Sequence, residues 1–252
     1  MVIGQERLRA ALVHLAISAG IAALAATLVF ALWYPYPYRD ISGGRELFLI
    51  VTGVDVILGP LITLTIFNLA KPRRELVLDL SVVACIQLAA LGYGLWTVAV
   101  ARPVHMVFEF DRLRVVHGVD VPEDLLAQTP PGVQAEPWGG PTLLAVRPFR
   151  DANENMQATL VAMQGIQLAA RPDLWQPYDQ ARPRVTAAAQ PVEALRRRMP
   201  AKAPALDAAL ASLGRDAART KYLPLVSRKL AWVAFIEPAT GDVVGFAPVD
   251  PY

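Results

Sequence analysis

Three apolar runs fill most of the first 101 positions, and beyond them the pattern shortens to alternating and helical repeats a few residues long. The first run, residues 12–34, is almost wholly Ala, Leu, Ile and Val, and no Asp, Glu, Lys or Arg lies between Arg9 and Arg39. The second, 47–69, carries one charge, Asp55, and the third, 80–101, carries none. At about 1.5 Å per residue each is long enough to cross a hydrocarbon core of roughly 30 Å. Arg7, Arg9 and Ala23-Leu24-Ala25 offer the marks of a cleavable signal. The run is longer than the roughly 7–15 apolar residues of such signals, so a retained span is expected. Gly59-Pro60 should loosen or kink the second helix.

After residue 102 the β-branched and aromatic stretches 104–110 and 113–117 predict two strands with Asp111-Arg112 as the turn between them. Thr129-Pro130-Pro131-Gly132 and Pro137-Trp138-Gly139-Gly140-Pro141 break the chain into loop, with a helical turn at 122–127 and a strand at 143–146. Met156, Leu160, Met163 and Gln167 stand at helical spacing, so 151–169 reads as a helix capped by Asp151. Two further helices are expected at 191–199 and 204–213. Strands at 222–226 and 230–236 follow, and a turn over 237–242 leads into 243–248 as a hairpin. The Ala- and Pro-rich stretch 182–206 reads as mobile surface. The expected fold is therefore a membrane protein of three transmembrane α-helices followed by a small α+β extracytoplasmic domain. Its parts are a cytoplasmic amino terminus (1–11), the three-helix region (12–101) and the domain (102–252).

Composition agrees with the pattern. Hydrophobic residues make up 54% of 252, charged residues only 18%, and the mean hydropathy is +0.36. Cys85 is the single cysteine, which excludes a disulfide framework. A net charge of +2 spread along the chain lacks the concentrated basic face that nucleic acid requires. Arg7 and Arg9 before the first run, and Lys71, Arg73 and Arg74 between the second and third, place those segments in the cytoplasm. Three crossings then put the carboxy-terminal domain on the far side, the periplasm of a Gram-negative cell. Arg196, Arg197 and Arg198 read as a solvated helix face. Trp33, Tyr34, Tyr36 and Tyr38, with Trp96, fit an aromatic belt.

Asp55 carries the sharpest chemical signal, because a charge at mid-membrane is costly and faces a partner or a cavity. Its structural alternative is a packing residue bonded to Thr63 or Gln87. Asp79 enters the third span from the cytoplasmic loop, on the order of 15 Å from the depth of Asp55, too far for a shared-proton dyad. It reads as an interfacial residue at a helix start beside Arg73 or Arg74. His14, His105 and His117 lack ligand spacing, so neither metal nor cofactor is expected, and no nucleophile elbow or phosphate loop is present. No enzymatic activity is expected.

Several strings together resemble a known family. Trp33-Tyr34-Pro35-Tyr36-Pro37-Tyr38, Ser42-Gly43-Gly44, Val54-Asp55-Val56-Ile57-Leu58-Gly59-Pro60 and Ala101-Arg102-Pro103-Val104 are similar to the type IV pilin accessory proteins, the TfpX/TfpZ family. So is the ending Thr240-Gly241-Asp242-Val243-Val244-Gly245. The resemblance implies a Gram-negative inner-membrane protein that binds a cognate type IV pilin and aids its assembly or display, without catalysis. Other inner-membrane pilus-assembly proteins are further partners. It carries no established site residues. The residues singled out for partner binding are Asp55 with Gly53, Gly59 and Pro60 in the second span, and Trp33, Tyr34, Pro35, Gly43 and Gly44 before it. Two other functions fit the same pattern. One is a membrane-anchored periplasmic sensor or binding subunit of another complex. The other is a transporter component using Asp55 as an ion site.

Overall fold

A computed structural model describes residues 4–252; the first three positions of the expected cytoplasmic amino terminus lie outside the described residues. Contacts divide the chain into two units, residues 4–39 with 43–101, and residues 40–42 with 102–252.

The first unit is built on three long helices, α1 (Gln5–Leu28), α3 (Gly44–Ile66) and α4 (Arg73–Val100); the single turn α2 (Tyr38–Ile41), between the first two in sequence, is divided between the two units. All three are long and apolar enough to cross a membrane. α1 and α4 each begin seven residues before the apolar run. Glu6, Arg7 and Arg9, and likewise Arg73, Arg74 and Glu75, are good helix formers that extend the helix beyond its lipid-soluble part. α1 ends in a π-helical turn, Val29–Trp33, closed by the Tyr34 N–H on the Val29 carbonyl at 2.7 Å. Gly43, in the left-handed region at φ 72°, starts α3, where a residue with a Cβ would be strained. α3 stays helical through Pro60 and stops at Ile66, three residues short of the apolar run. α1 and α4 both pack along α3 and scarcely touch each other.

The second unit carries a mixed sheet in the order β4-β3-β1-β2-β6-β7-β8, with β5 on β6. β1 (Pro103–Glu109) and β2 (Arg112–His117) form the expected hairpin. Its turn sits one residue earlier than expected, at Phe110-Asp111, where Phe110 adopts φ 58° and the Asp111 N–H bonds the Glu109 carbonyl. β3 (Thr142–Val146) runs parallel to β1, and β4 (Trp175–Pro177) antiparallel to β3. β6 (Lys221–Val226), β7 (Ala231–Ile236) and β8 (Val243–Ala247) make an antiparallel meander that joins β2 through a parallel contact. All seven residues of β1 are buried, so it lies covered on both faces. Val104, Val107, Leu144 and Trp175 centre one core; a second gathers Leu195, Leu206, Val233 and Phe235.

Helix α5 (Ala152–Met163) has the expected cap: the Asp151 carboxylate accepts the Glu154 N–H at 2.8 Å. It ends six residues before position 169, because Gly165 turns left-handed at φ 101° and Leu168–Ala170 forms a separate 3-10 turn. The stretch 182–206 is a correction. It is not a mobile surface but holds α6 (Arg182–Ala188), the two-residue β5 (Gln190–Pro191), α7 (Val192–Arg198) and the start of α8 (Ala203–Ser212), with Val185, Val192, Leu195 and Leu206 at most 1% exposed. Its prolines open helices, in the first turns of α6 and α8, where a missing N–H costs nothing. The arginine run at the end of α7 is also more engaged than a solvated face. Arg196 pairs with Glu193 and Asp207, and Arg198 donates to the Pro251 carbonyl.

Candidate functional site: a groove across three helices

Because α1 and α4 lean on α3 without closing on each other, the bundle keeps a groove along one side of α3. Its mid-span part has a volume of about 160 Å3, and an adjoining part of about 690 Å3 continues to the end that carries Glu6, Arg9 and Phe67. His14, Ile17 and Ala84 line both. Each wall is one helical face. From α1 come His14, Ile17, Ser18, Ile21 and Ala22; from α4 come Ala84, Gln87, Leu88 and Leu91; between them α3 contributes Thr52, Asp55 and Val56. These are the i, i+3, i+4 and i+7 repeats of a single side of a helix. The lining is apolar except for a few hydrogen-bonding groups, the general composition of a ligand site.

Those polar groups differ in how well they are satisfied. His14 Nδ1 and Thr63 Oγ1 lie 2.6 Å apart, tying α1 to α3. Thr52 returns its hydroxyl to the Phe48 carbonyl of its own helix. Gln87 Nε2 donates to the backbone carbonyl of Asp55 at 3.0 Å, one residue before the Val56 carbonyl that Pro60 cannot bond. Both packing partners foreseen for the Asp55 carboxyl are therefore engaged elsewhere, Thr63 by His14 and Gln87 by the main chain. Among the described residues none donates to that carboxyl, which lines the groove at mid-span. Asp79 is apart from it, held by Lys71 at 2.6 Å rather than by Arg73 or Arg74.

The other singled-out residues divide by what the fold does with them. Trp33 and Tyr34 pack with Val29, Phe48 and Val98 inside the bundle, and Tyr34 Oη donates to the Val98 carbonyl. Together with buried Tyr38 they depart from the expected aromatic belt; Tyr36, Tyr93 and Trp96 are the exposed aromatics there. Gly44 lies under the Tyr34 ring and Gly59 against the Gln87 amide, each too close for a Cβ. Gly59 and Pro60 are buried, so their surface is spent within the bundle, whereas Gly53 has open space where a Cβ would stand. Pro35 starts the α2 turn by accepting the Tyr38 N–H, and Gly43 supplies its φ. His14, Ser18 and Gln87 join the site although only Asp55 was singled out in it. Their signal was the shared helical face.

The domain holds its other histidines in structural positions. His105 is fully buried on β1, with Nδ1 2.7 Å from Thr142 Oγ1 and Nε2 2.9 Å from the Ala135 carbonyl, and burial lowers its pKa to about 4. His117 bonds Asp120, whose carboxyl burial pushes up but which His117 and Arg228 together hold at about 2.

The family model for "Fimbrial assembly protein FimB" matches residues 4–43, the segment that supplies the α1 wall of the groove. Two fimbrial assembly proteins of Dichelobacter nodosus, of serogroup I and serogroup E1, are 36% and 35% identical over 227 residues, 89% of this chain and 88% of each of theirs. A third, of serogroups C1 and C2, is 41% identical over 116 residues, 46% of this chain and 88% of its own length. No solved structure matches the chain. Identity at that level across nearly the whole of both chains places this membrane protein in the family of fimbrial assembly proteins.

Proposed function

We propose that the protein is a non-catalytic inner-membrane accessory factor of type IV pilus biogenesis, of the TfpX/TfpZ kind, and that it holds a cognate pilin by its membrane helix. The observation that carries this reading is the open groove with the Asp55 carboxyl unbonded inside it. A carboxyl at mid-membrane costs about 3 kcal/mol on insertion scales, so it persists where something supplies a hydrogen bond. A single transmembrane helix with a donor at that depth satisfies it and fills the space between α1 and α4. Arg7 and Arg9, with Lys71, Arg73 and Arg74, support a cytoplasmic amino terminus and a periplasmic domain. The fimbrial assembly role named for the relatives supports the pathway.

The test is recovery of the pilin with the affinity-tagged full-length protein from native membranes. Asp55→Leu is expected to reduce pilin recovery by at least about tenfold, the worth of a hydrogen bond to a charged group, with the protein inserted at its normal level. Asp55→Asn keeps an acceptor and should retain much of the recovery. Unchanged recovery with Asp55→Leu would refute the anchor.

A further inference from the structure

Helix α5 turns outward the face that its periodicity would bury. Met156, Leu160 and Met163 recur at i, i+4 and i+7, yet they are 57%, 53% and 80% exposed, and Ala158 is the buried residue of the helix. Among the described residues no other helix or strand packs on α5 more than marginally. Its first turn is fixed by the Asp151 cap and by Arg147, whose guanidinium grips both Glu154 oxygens at 2.9 and 2.7 Å. Three large apolar side chains are thus left more than half exposed on one helix face, and contiguous exposed apolar surface marks an interaction site. Methionine suits such a face because its flexible thioether adapts to irregular partners.

The surroundings select the partner. Asn153, Asn155, Gln157 and Gln164 flank the stripe, α5 contains no Lys or Arg, and its one charge, Glu154, is neutralised by Arg147. A helix built to lie on anionic lipid carries cations along its polar face, so this one is not designed for a bilayer surface. Three side chains also fall far short of the roughly 800 Å2 per partner of a self-standing interface, which argues against a second copy. A contact so small is populated when its partner is already tethered nearby at millimolar effective concentration. The protein assigned to the groove meets that condition, being anchored by one helix that continues into a soluble head. We infer that the Met156, Leu160 and Met163 face of α5 is the second contact with that partner and seats in an uncharged apolar depression on its head. The inference rests on the groove reading for the identity of the partner, and on α5 alone for the surface.

Photo-crosslinking residues placed separately at position 18, in the groove, and at position 160, on α5, in the full-length protein in native membranes test both. The expected result is a pilin adduct at each position, the one at 160 mapping to the head, and about tenfold less of it in M156Q/M163Q, with the adduct at 18 unchanged. Pilin at 160 alone supports the α5 contact and removes the groove. Pilin at 18 alone overturns the α5 contact and leaves the groove intact. A lipid or second-copy adduct at 160, or no adduct at either position, overturns the inference.

Discussion

Tyr34 and Gly44 illustrate how single residues set the bundle. The Tyr34 ring, 1% exposed and tied by its hydroxyl to the Val98 carbonyl, lies across Gly44 with no room for a methyl group. Gly44→Ala should therefore cost about 1–3 kcal/mol through forced displacement of a packed ring, read as a lower midpoint in thermal unfolding of the detergent-solubilised protein. Gly53→Ala, one helix face away with open space before it, should be neutral or up to about 1 kcal/mol stabilising, since alanine is the better helix former. A glycine in the sequence announces that something is special. Whether it is a close approach, as at Gly44, a left-handed φ, as at Gly43, or neither, as at Gly53, depends on neighbours that the local sequence does not contain.

Among the elements, α5 is weakly supported by the rest of the domain and so sensitive to its cap. Asp151→Ala removes the acceptor for the Glu154 N–H and should weaken the helix by about 1 kcal/mol. Because α5 adds little to either core, hydrogen exchange should speed up over residues 152–158 while the unfolding midpoint of the domain stays nearly unchanged. Elements written in local pattern were legible in the sequence: the spans, the β1–β2 hairpin, the cap at Asp151 and the β7–β8 turn all follow from short-range periodicity and turn chemistry. β4 was not, because Trp175, Gln176 and Pro177 become a strand only through pairing with β3. In 182–206 the helices expected at 191–199 and 204–213 are present as α7 and α8, but α6 was hidden by an Ala- and Pro-rich composition that looks disordered until Pro183 is placed in its first turn. Periodicity likewise gave α5 a face without saying which way it turns. Of the site, Asp55 stood out because a charge interrupts an apolar run. The walls around it come from helices about seventy residues apart, and no window of sequence spans them.

For the molecule as a whole, acid should act first on the domain of residues 102–252. His105 is buried neutral with a pKa of about 4, whereas the unfolded chain binds a proton near pH 6.5. Its contribution is complete above about pH 6.5 and falls as the unfolded state alone takes up the proton between 6.5 and 4, a loss of about 3 kcal/mol at the end of that window. Asp120 acts lower: its carboxyl is held at about 2, so the stability it contributes is present above its ordinary pKa of 3.8 and is lost as pH falls toward 2. Melting temperature measured from pH 7.5 to 4 should thus decline chiefly through His105, and His105→Gln should flatten the decline. The open side of the bundle has a different consequence. A cleft between spans is filled by acyl chains when no protein occupies it, so loading a partner helix is an exchange of lipid for protein. Apolar walls treat the two almost alike, since lipid tails are as apolar as leucine, but a hydrocarbon tail offers Asp55 no hydrogen bond. In the proposed role the carboxyl would thereby give the exchange its direction, and the residence time of lipid in the cleft would set how fast a partner helix is received.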